Sequence, residues 1–189
     1  RYFKAVSINI SIDGIEKTYE YIRHPTDWKD IHSKLKLFSE SGNVFSNDKI
    51  TPDGKFVSTK VESPGGKNRL EKSNSGFYDQ RVVIVNFTFT LSTYNILEAK
   101  NMINLRREMG FGLNCIPVFK PEYLDVKYAP ELLKEEAIEI IESIEPVCEI
   151  EKNFLKDFRA KIEENVKDED EIKEMQKKVY DISKLRDPF

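Results

Sequence analysis

The fold is decided by residues 81–119, which read RVVIVNFTFTLSTYNILEAKNMINLRREMGFGLNCIPVF. The first part, residues 81–91, is rich in Val, Phe and Thr and predicts a strand. Apolar residues at helical spacing follow, and the Gly-Phe-Gly sequence at 110–112 ends that helix where glycine accepts a left-handed conformation. Residues 113–119 then predict a second strand. A strand, a helix and a strand in this order are typical of parallel strands joined by a right-handed crossover.

A similar strand and helix precede this stretch. Residues 6–13 alternate strictly between apolar and polar side chains, which predicts a strand that ends at Gly14. From Trp28 to Phe38 the apolar residues recur at three- and four-residue steps, as an amphipathic helix requires. A polar residue just before Trp28 supplies the start of that helix, and the Ser-Gly-Asn sequence at 41–43 supplies its end.

An insertion and two more helices complete the predicted elements. Residues 42–80 contain three turn signals, Pro-Asp-Gly, Pro-Gly-Gly and Asn-Ser-Gly, with little apolar sequence between them. We predict an irregular, partly flexible insertion there, with one hairpin arm at residues 55–61. Pro130 begins an acidic helix that Pro146 ends, and a last helical stretch covers residues 152–185, with a charged break at residues 167–171.

Two of the predicted strands keep one polar face towards their carboxyl ends, whereas parallel strands are usually apolar on both faces. One explanation is a sheet that is half exposed to water. The other is a barrel wall, with its apolar side under the helices and its polar side lining a ligand cavity. The barrel is favoured because the polar residues cluster at the strand ends, where parallel sheets bind their ligands.

The predicted fold is therefore α/β, a partial TIM-like half-barrel of parallel strands with an insertion and a C-terminal helical extension. Residues 1–41 supply one strand–helix unit of the barrel, and residues 81–145 supply two further units. Residues 42–80 form the insertion, and residues 146–189 form the helical extension.

Composition and charge exclude several classes of protein. The 189 residues are 39% hydrophobic and 33% charged, which is typical of a packed globular protein. No apolar run of about 18 residues occurs, so we expect no membrane partner. Residues 1–120 hold 18 basic and 13 acidic side chains and residues 121–189 hold 12 and 20, which gives no coherent phosphate-binding surface. We therefore expect no nucleic-acid partner.

The two cysteines, Cys115 and Cys148, are too few for a disulfide framework or a four-thiolate metal site. We expect both to be core thiols. Few cysteines and no recognisable signal sequence predict a cytoplasmic protein. His24 and His32 lack a companion at metal-ligand spacing, so we expect no zinc site.

Four groups of residues carry a family resemblance. They are SIDG at 11–14 with YEYIRHPTDW at 19–28, TLSTYN at 90–95, LN at 113–114 with PEYL at 121–124 and AP at 129–130, and YD at 180–181 with LR at 185–186. In this order they resemble the radical S-adenosylmethionine (SAM) enzymes and, within them, the twitch-domain radical SAM proteins. In that family the motifs belong to the fourth, fifth and sixth barrel strands and the closing helix. The resemblance, which spans nearly the whole chain except residues 42–80, implies the C-terminal half of the barrel.

The resemblance implies an enzyme in which a [4Fe–4S] cluster cleaves SAM reductively to a 5′-deoxyadenosyl radical, which abstracts a hydrogen atom from an unknown substrate. Such an enzyme also needs an electron donor. The family's Cys-x3-Cys-x2-Cys loop and its auxiliary-cluster cysteines are absent from this sequence. We therefore expect the cluster ligands to lie outside this chain, which opens at Arg1 as if cut from a larger protein, and we expect the chain alone to be inactive.

The resemblance implies four SAM-binding residues on the first strand and the segment after it: Asn9, Ser11, Asp13 and Arg23. Ser11 and Asp13 would bind the ribose or amino group, and the Arg23 guanidinium would bind the carboxylate of SAM or of an acidic substrate. Simpler structural roles stay open: a turn at Asp13, a backbone contact at Asn9 and an exposed salt bridge at Arg23. No catalytic or metal-binding residue is expected in this chain.

Ser92, Asn95 and Asn114 would line the SAM or substrate pocket at the ends of the next two strands. For Ser92 an equally simple role is to cap the following helix. A second function also stays open, that of a non-catalytic half-barrel that binds or scaffolds a partner, because an incomplete barrel leaves a sheet edge with which a partner can pair.

Overall fold

The parallel sheet expected from the sequence is present in the computed structural model, which describes residues 5–40, 44–45, 82–164, 166 and 168–186. Its strands are β1 (Ala5–Ser11), β2 (Val44–Phe45), β3 (Val82–Leu91) and β4 (Gly112–Pro117). The helices of the described residues are α1 (Glu16–Ile22), α2 (Trp28–Glu40), α3 (Ala99–Met109), α4 (Glu131–Glu142), α5 (Glu149–Ile162) and α6 (Glu169–Arg186). None of these helices combines the length and the apolar character that crossing a membrane requires. Apart from residues 44–45, the insertion at 42–80, with its hairpin arm, lies outside the described residues.

β3 is the central strand of the sheet. It pairs in parallel with β1 along residues 82–88 on one edge and with β4 along residues 86–91 on the other. The two residues of β2 pair with the start of β3, on the β4 side. The strands β1, β3 and β4 thus lie side by side in chain order, and the prediction of an α/β fold with parallel strands is confirmed.

The apolar face of the sheet forms the core with the helices. Four alternate residues of β3, from Val85 to Leu91, are all 0% exposed, and they belong to one buried cluster with residues of α2, α3, α4 and α5. The Phe89 ring is stacked on Phe158 of α5 at a centroid distance of 5.8 Å and meets Phe154 edge-on at 6.0 Å. α5, which the sequence assigns to the C-terminal extension, therefore packs directly on the sheet.

The opposite face of the sheet carries polar residues in its central rows. Alternate residues of β3 point to this side, and the strand pairing places them in rows with residues of β1 and β4. The two polar rows are Asn9–Asn86–Gly112 and Ser11–Thr88–Asn114. This face therefore carries three of the predicted site residues, Asn9, Ser11 and Asn114, all of which are exposed.

A buried ion-pair network joins α3 to the start of α5. The Glu151 carboxylate is 0% exposed and accepts hydrogen bonds from Arg106 Nη1 (3.0 Å), from Arg107 Nε (3.1 Å) and Nη2 (2.7 Å), and from the Val147 backbone N–H (2.9 Å). Burial alone would raise the pKa of this carboxyl, but the hydrogen bonds from Arg107 and Val147 and the charges of the two arginines hold it below its ordinary value. Glu151 is therefore an ionised, paired carboxylate within the core.

One helix is absent from the sequence prediction, and one predicted break is located more closely by the structure. The seven-residue α1 was not predicted, because its only buried residue is Tyr19, which leaves no repeating apolar pattern to detect. The helical stretch predicted at 152–185, with a charged break at 167–171, is two helices, α5 and α6, which are separated close to that break. Asp168 explains the break, because its Oδ1 accepts the backbone N–H groups of Asp170 (2.9 Å) and Glu171 (3.1 Å) and so starts a new helix.

Candidate functional site

Three of the predicted SAM-binding residues lie together at the carboxyl end of β1. Ser11 is the last residue of β1, Asp13 lies in the turn into α1, and Arg23 is the C-cap of α1. Arg23 Nε donates a hydrogen bond to Asp13 Oδ2 at 2.5 Å, and Arg23 Nη2 donates one to Ser11 Oγ at 2.9 Å. The Ser11 hydroxyl also lies 3.4 Å from Thr90 Oγ1 of β3. We call Ser11, Asp13 and Arg23 the Asp13 cluster.

The Asp13 carboxylate is buried and only half satisfied. The residue is 4% exposed, and its Oδ2 is the oxygen that pairs with Arg23. Its Oδ1 is buried as well and has no hydrogen-bond partner among the described residues. Because a buried carboxylate oxygen without a donor is costly, Oδ1 is the atom that a ligand hydroxyl or ammonium group would satisfy. The Arg23 side chain is 43% exposed, so the cluster reaches the surface.

Asn95 lies beside the Asp13 cluster, but its side chain is fully engaged by the protein. It is 1% exposed, and its Nδ2 donates to the backbone carbonyls of Thr90 and Asp13, both at 2.9 Å. Its Oδ1 accepts from the Ser92 backbone N–H at 2.7 Å and from Ser92 Oγ at 3.2 Å. These four contacts use the whole hydrogen-bonding capacity of a carboxamide. The predicted pocket residues Ser92 and Asn95 therefore support the site from within rather than face a ligand.

Asn9 and Asn114 lie on the polar face of the sheet. Asn114 is in the same row as Ser11, and Asn9 is one row below, where its Oδ1 accepts from Asn86 Nδ2 at 3.3 Å. Asn86, which the sequence analysis did not select, is 3% exposed, and its Oδ1 has no partner among the described residues. An added Cβ on Gly112 would lie 2.1 Å from that oxygen, so glycine leaves the space that the amide occupies. A lone Asn within a run of Val and Phe was the available signal for Asn86.

Glu98 is a second residue that the sequence analysis missed. It is the N-cap residue of α3 and half-buried, and its carboxylate reaches back to the start of α1. Glu98 Oε2 accepts from the Ile15 backbone N–H at 3.2 Å, and Glu98 Oε1 accepts from Thr18 Oγ1 at 2.9 Å. Asn101 Nδ2 also donates to Oε2, at 3.2 Å. No local pattern marks this role, because Ile15 and Thr18 lie 83 and 80 positions earlier in the chain.

We expect Gly14→Ala to destabilise the protein by about 1–3 kcal/mol more than Gly110→Ala does. Both glycines have positive φ angles, 140° at Gly14 and 71° at Gly110, so both substitutions strain the backbone. Only Gly14 adds a steric conflict: a Cβ there would lie 2.8 Å from Thr18 Cγ2, whereas a Cβ at Gly110 would meet nothing within 4 Å. Urea denaturation of the two variants measures the difference, and equal losses would show that the turn into α1 yields to the added methyl group.

The structure also has a cleft of about 560 Å³ between α1, α2 and α3. Charged and polar side chains of both signs line it together with Trp28, and His32 Nε2 lies 3.1 Å from Glu108 Oε1 at its wall. None of the predicted site residues lines this cleft. It is therefore separate from the Asp13 cluster.

The cysteines lie in different settings. Cys115 is on the apolar face of β4 and packs against the core, as predicted, and burial raises the pKa of its thiol to about 12. Cys148 is the half-buried N-cap residue of α5. Within the described part of the chain, no three or more His, Cys, Asp or Glu side chains come together in a group that could hold a metal ion.

Comparisons with models of protein families, with curated proteins and with solved structures give no match. A functional conclusion therefore depends on the residues and the geometry of the chain itself. Among the features of the chain, the Asp13 cluster is the best candidate for a ligand-binding site. It combines a buried, incompletely paired carboxylate with an accessible guanidinium at the carboxyl ends of parallel strands.

Proposed function

We propose that the chain is the C-terminal part of a radical SAM barrel and that the Asp13 cluster forms part of its SAM pocket. The observation that carries the proposal is the buried Asp13 Oδ1 without a partner among the described residues. The topology supports it, because β1, β3 and β4 are parallel and follow chain order, and the helices of the core pack on the apolar face. A sheet of this kind can continue into a barrel whose ligand binds at the carboxyl ends of the strands.

The chemistry of the Asp13 cluster fits SAM. Asp13 Oδ1 can accept a hydrogen bond from a ribose hydroxyl or from the amino group of the methionine moiety. Arg23 uses Nε and Nη2 for Asp13 and Ser11, and its Nη1, which has no hydrogen-bond partner among the described residues, could bind the SAM carboxylate. The exposed Asn114 and the polar rows would then face the rest of the pocket, including the substrate.

A [4Fe–4S] cluster does not fit the residues of this chain. The two cysteines lie on different elements, Cys115 in β4 and Cys148 at the start of α5, and burial keeps the Cys115 thiol protonated at neutral pH. The proposal therefore assigns the cluster ligands, and with them the radical chemistry and the docking of an electron donor, to residues outside this chain. A cytoplasmic location with reduced thiols belongs to the same proposal.

We expect the chain to bind SAM, and Asp13→Asn and Arg23→Gln each to weaken that binding by about tenfold or more, because each removes a charge-assisted hydrogen bond. Saturation-transfer difference NMR with a SAM titration measures the dissociation constants. Asp181→Asn, an exposed carboxylate on α6, is the matched control for Asp13. Arg159→Gln is the control for Arg23, since both arginine side chains are 43% exposed. Absence of saturable binding to the wild-type chain, or equal losses in the controls, would refute the proposed function.

A non-catalytic half-barrel that associates with a partner is the second candidate. Among the described residues, β1 and β4 pair only with β3, so each has an edge with which a partner strand can pair. The coding sequence that precedes Arg1 separates the two candidates. An open frame that continues to Cys-x3-Cys-x2-Cys favours the enzyme, and a stop codon directly upstream favours the scaffold.

A further inference from the structure

We propose that Asn95 and Glu98 are positioning residues that together hold Asp13 and Arg23 in place. We call Asn95 and Glu98 the 95–98 clamp. The inference deepens the proposed function and rests on it for the role of the site in SAM binding. The contacts that carry it belong to the protein alone and can be tested without any ligand.

Asn95 fixes the backbone of the residue that bears the carboxylate. Its Nδ2 bridges the carbonyl of Thr90, near the end of β3, and the carbonyl of Asp13, two residues beyond the end of β1. The Ser92 N–H and hydroxyl hold the other end of the amide, so Nδ2 can point only towards the two carbonyls. One buried side chain thus joins the carboxyl ends of two neighbouring strands at the position of Asp13.

Glu98 fixes the first turn of α1, and through it Arg23. The carboxylate accepts from the Ile15 N–H and the Thr18 hydroxyl at the start of the helix. α1 has only seven residues, and Arg23 is its C-cap, so a rotation at its start moves the guanidinium directly. Glu98, at the N-terminal end of α1, therefore helps to fix the position of Arg23 at the C-terminal end of the same helix.

The turn between Asp13 and α1 needs such contacts. Glu16 has a φ of 46°, a conformation that residues other than glycine rarely adopt and that persists only when the surroundings impose it, whereas the φ of 140° at Gly14 is one that glycine adopts freely. The clamp contacts Asp13 on one side of Gly14 and Ile15 and Thr18 on the other. Loss of the clamp should therefore let the turn relax and separate Asp13 from Arg23, while the core beneath stays packed.

The test uses the full chain with ¹³C-labelled Asp and ¹⁵N-labelled Arg and follows the Asp13 Cγ shift and the hydrogen exchange of Arg23 Nε–H. We expect Asn95→Ala to speed that exchange by roughly tenfold and to move the Asp13 signal, as expected of a local opening. Glu98→Gln keeps one acceptor oxygen and should give a smaller change in the same direction. Glu151→Gln, a remote buried carboxylate, is the control for general destabilisation and should leave both signals in place.

Two outcomes would overturn the inference. One is that Asn95→Ala and Glu98→Gln lower the melting temperature but leave the Asp13 and Arg23 signals unchanged. The other is that Glu151→Gln alters those signals as much as the clamp variants do. If Asn95→Ala does not fold, Glu98→Gln decides. If the clamp variants loosen Arg23 but wild-type chain binds no SAM, the positioning of the pair is upheld and the proposed function is wrong.

Discussion

Glu151→Ala is expected to lower the free energy of unfolding by about 3–5 kcal/mol. The substitution removes the acceptor of four hydrogen bonds, one of them from Arg106, whose side chain is only 9% exposed. Urea denaturation followed by circular dichroism measures the loss. Glu149→Ala is the matched control, because Glu149 is on the same helix with a 73% exposed side chain, and we expect it to change stability by less than about 0.5 kcal/mol.

The same variant should change how stability depends on pH. The folded-state pKa of Glu151 is lower than in the unfolded chain, where a Glu titrates near 4.3. Its stabilising contribution is therefore fully present above that value and is lost as the pH falls through the folded-state pKa. The difference between wild type and Glu151→Ala should stay constant from about pH 7 to pH 5 and shrink in more acidic solution. A difference that stays constant down to the acid transition would contradict the role of the ionised carboxylate.

Phe89→Ala is expected to destabilise the protein by about 3–5 kcal/mol as well. Phe89 of β3 is 0% exposed, and its ring packs against two aromatic rings of α5. The truncation leaves a cavity under α5, so hydrogen exchange in α5 should accelerate along with the loss of global stability. Both effects are measured on one sample by urea denaturation and by exchange mass spectrometry.

Phe119→Ala is the control for Phe89→Ala, because the same side chain is 66% exposed at that position. We expect it to change stability by less than about 0.5 kcal/mol. A contrary result would be a loss of global stability in Phe89→Ala with unchanged hydrogen exchange in α5. That result would mean that α5 is stable without the sheet, as the prediction of residues 146–189 as a separate extension implies.

The sequence predicted those parts of the fold in which a periodic pattern is long. The alternation in β3 and the glycines after α3 predicted β3, α3 and β4, because a long pattern with a single period is typical of only one kind of element. α1 could not be found in this way, since it has seven residues and one buried side chain, Tyr19. The charged run at 167–171 indicated the break between α5 and α6, but only the contacts of Asp168 show that its side chain caps α6.

Some residues of the candidate site could be named from the sequence, but the hydrogen bonds that connect them could not. The family resemblance grouped Ser11, Asp13 and Arg23 as SAM-binding residues, and the structure brings these three into contact. The sequence does not distinguish an Asn95 amide that contacts backbone carbonyls from one that contacts a ligand. Glu98 and Glu151 read as ordinary helix carboxylates, because the partners that make them special lie more than 40 positions away along the chain.

The register of the sheet has a consequence for the order in which the chain folds. β4 pairs with residues of β3 that lie 26 positions earlier, Asn86 opposite Gly112, whereas β1 pairs with residues 77 positions later, Ala5 opposite Val82. Closing the longer loop costs about 1 kcal/mol more in chain entropy. Loop closure thus favours early pairing of β3 with β4 and late addition of β1. Because β1 leads into Asp13 and α1, the same loop-closure cost favours late assembly of the candidate site.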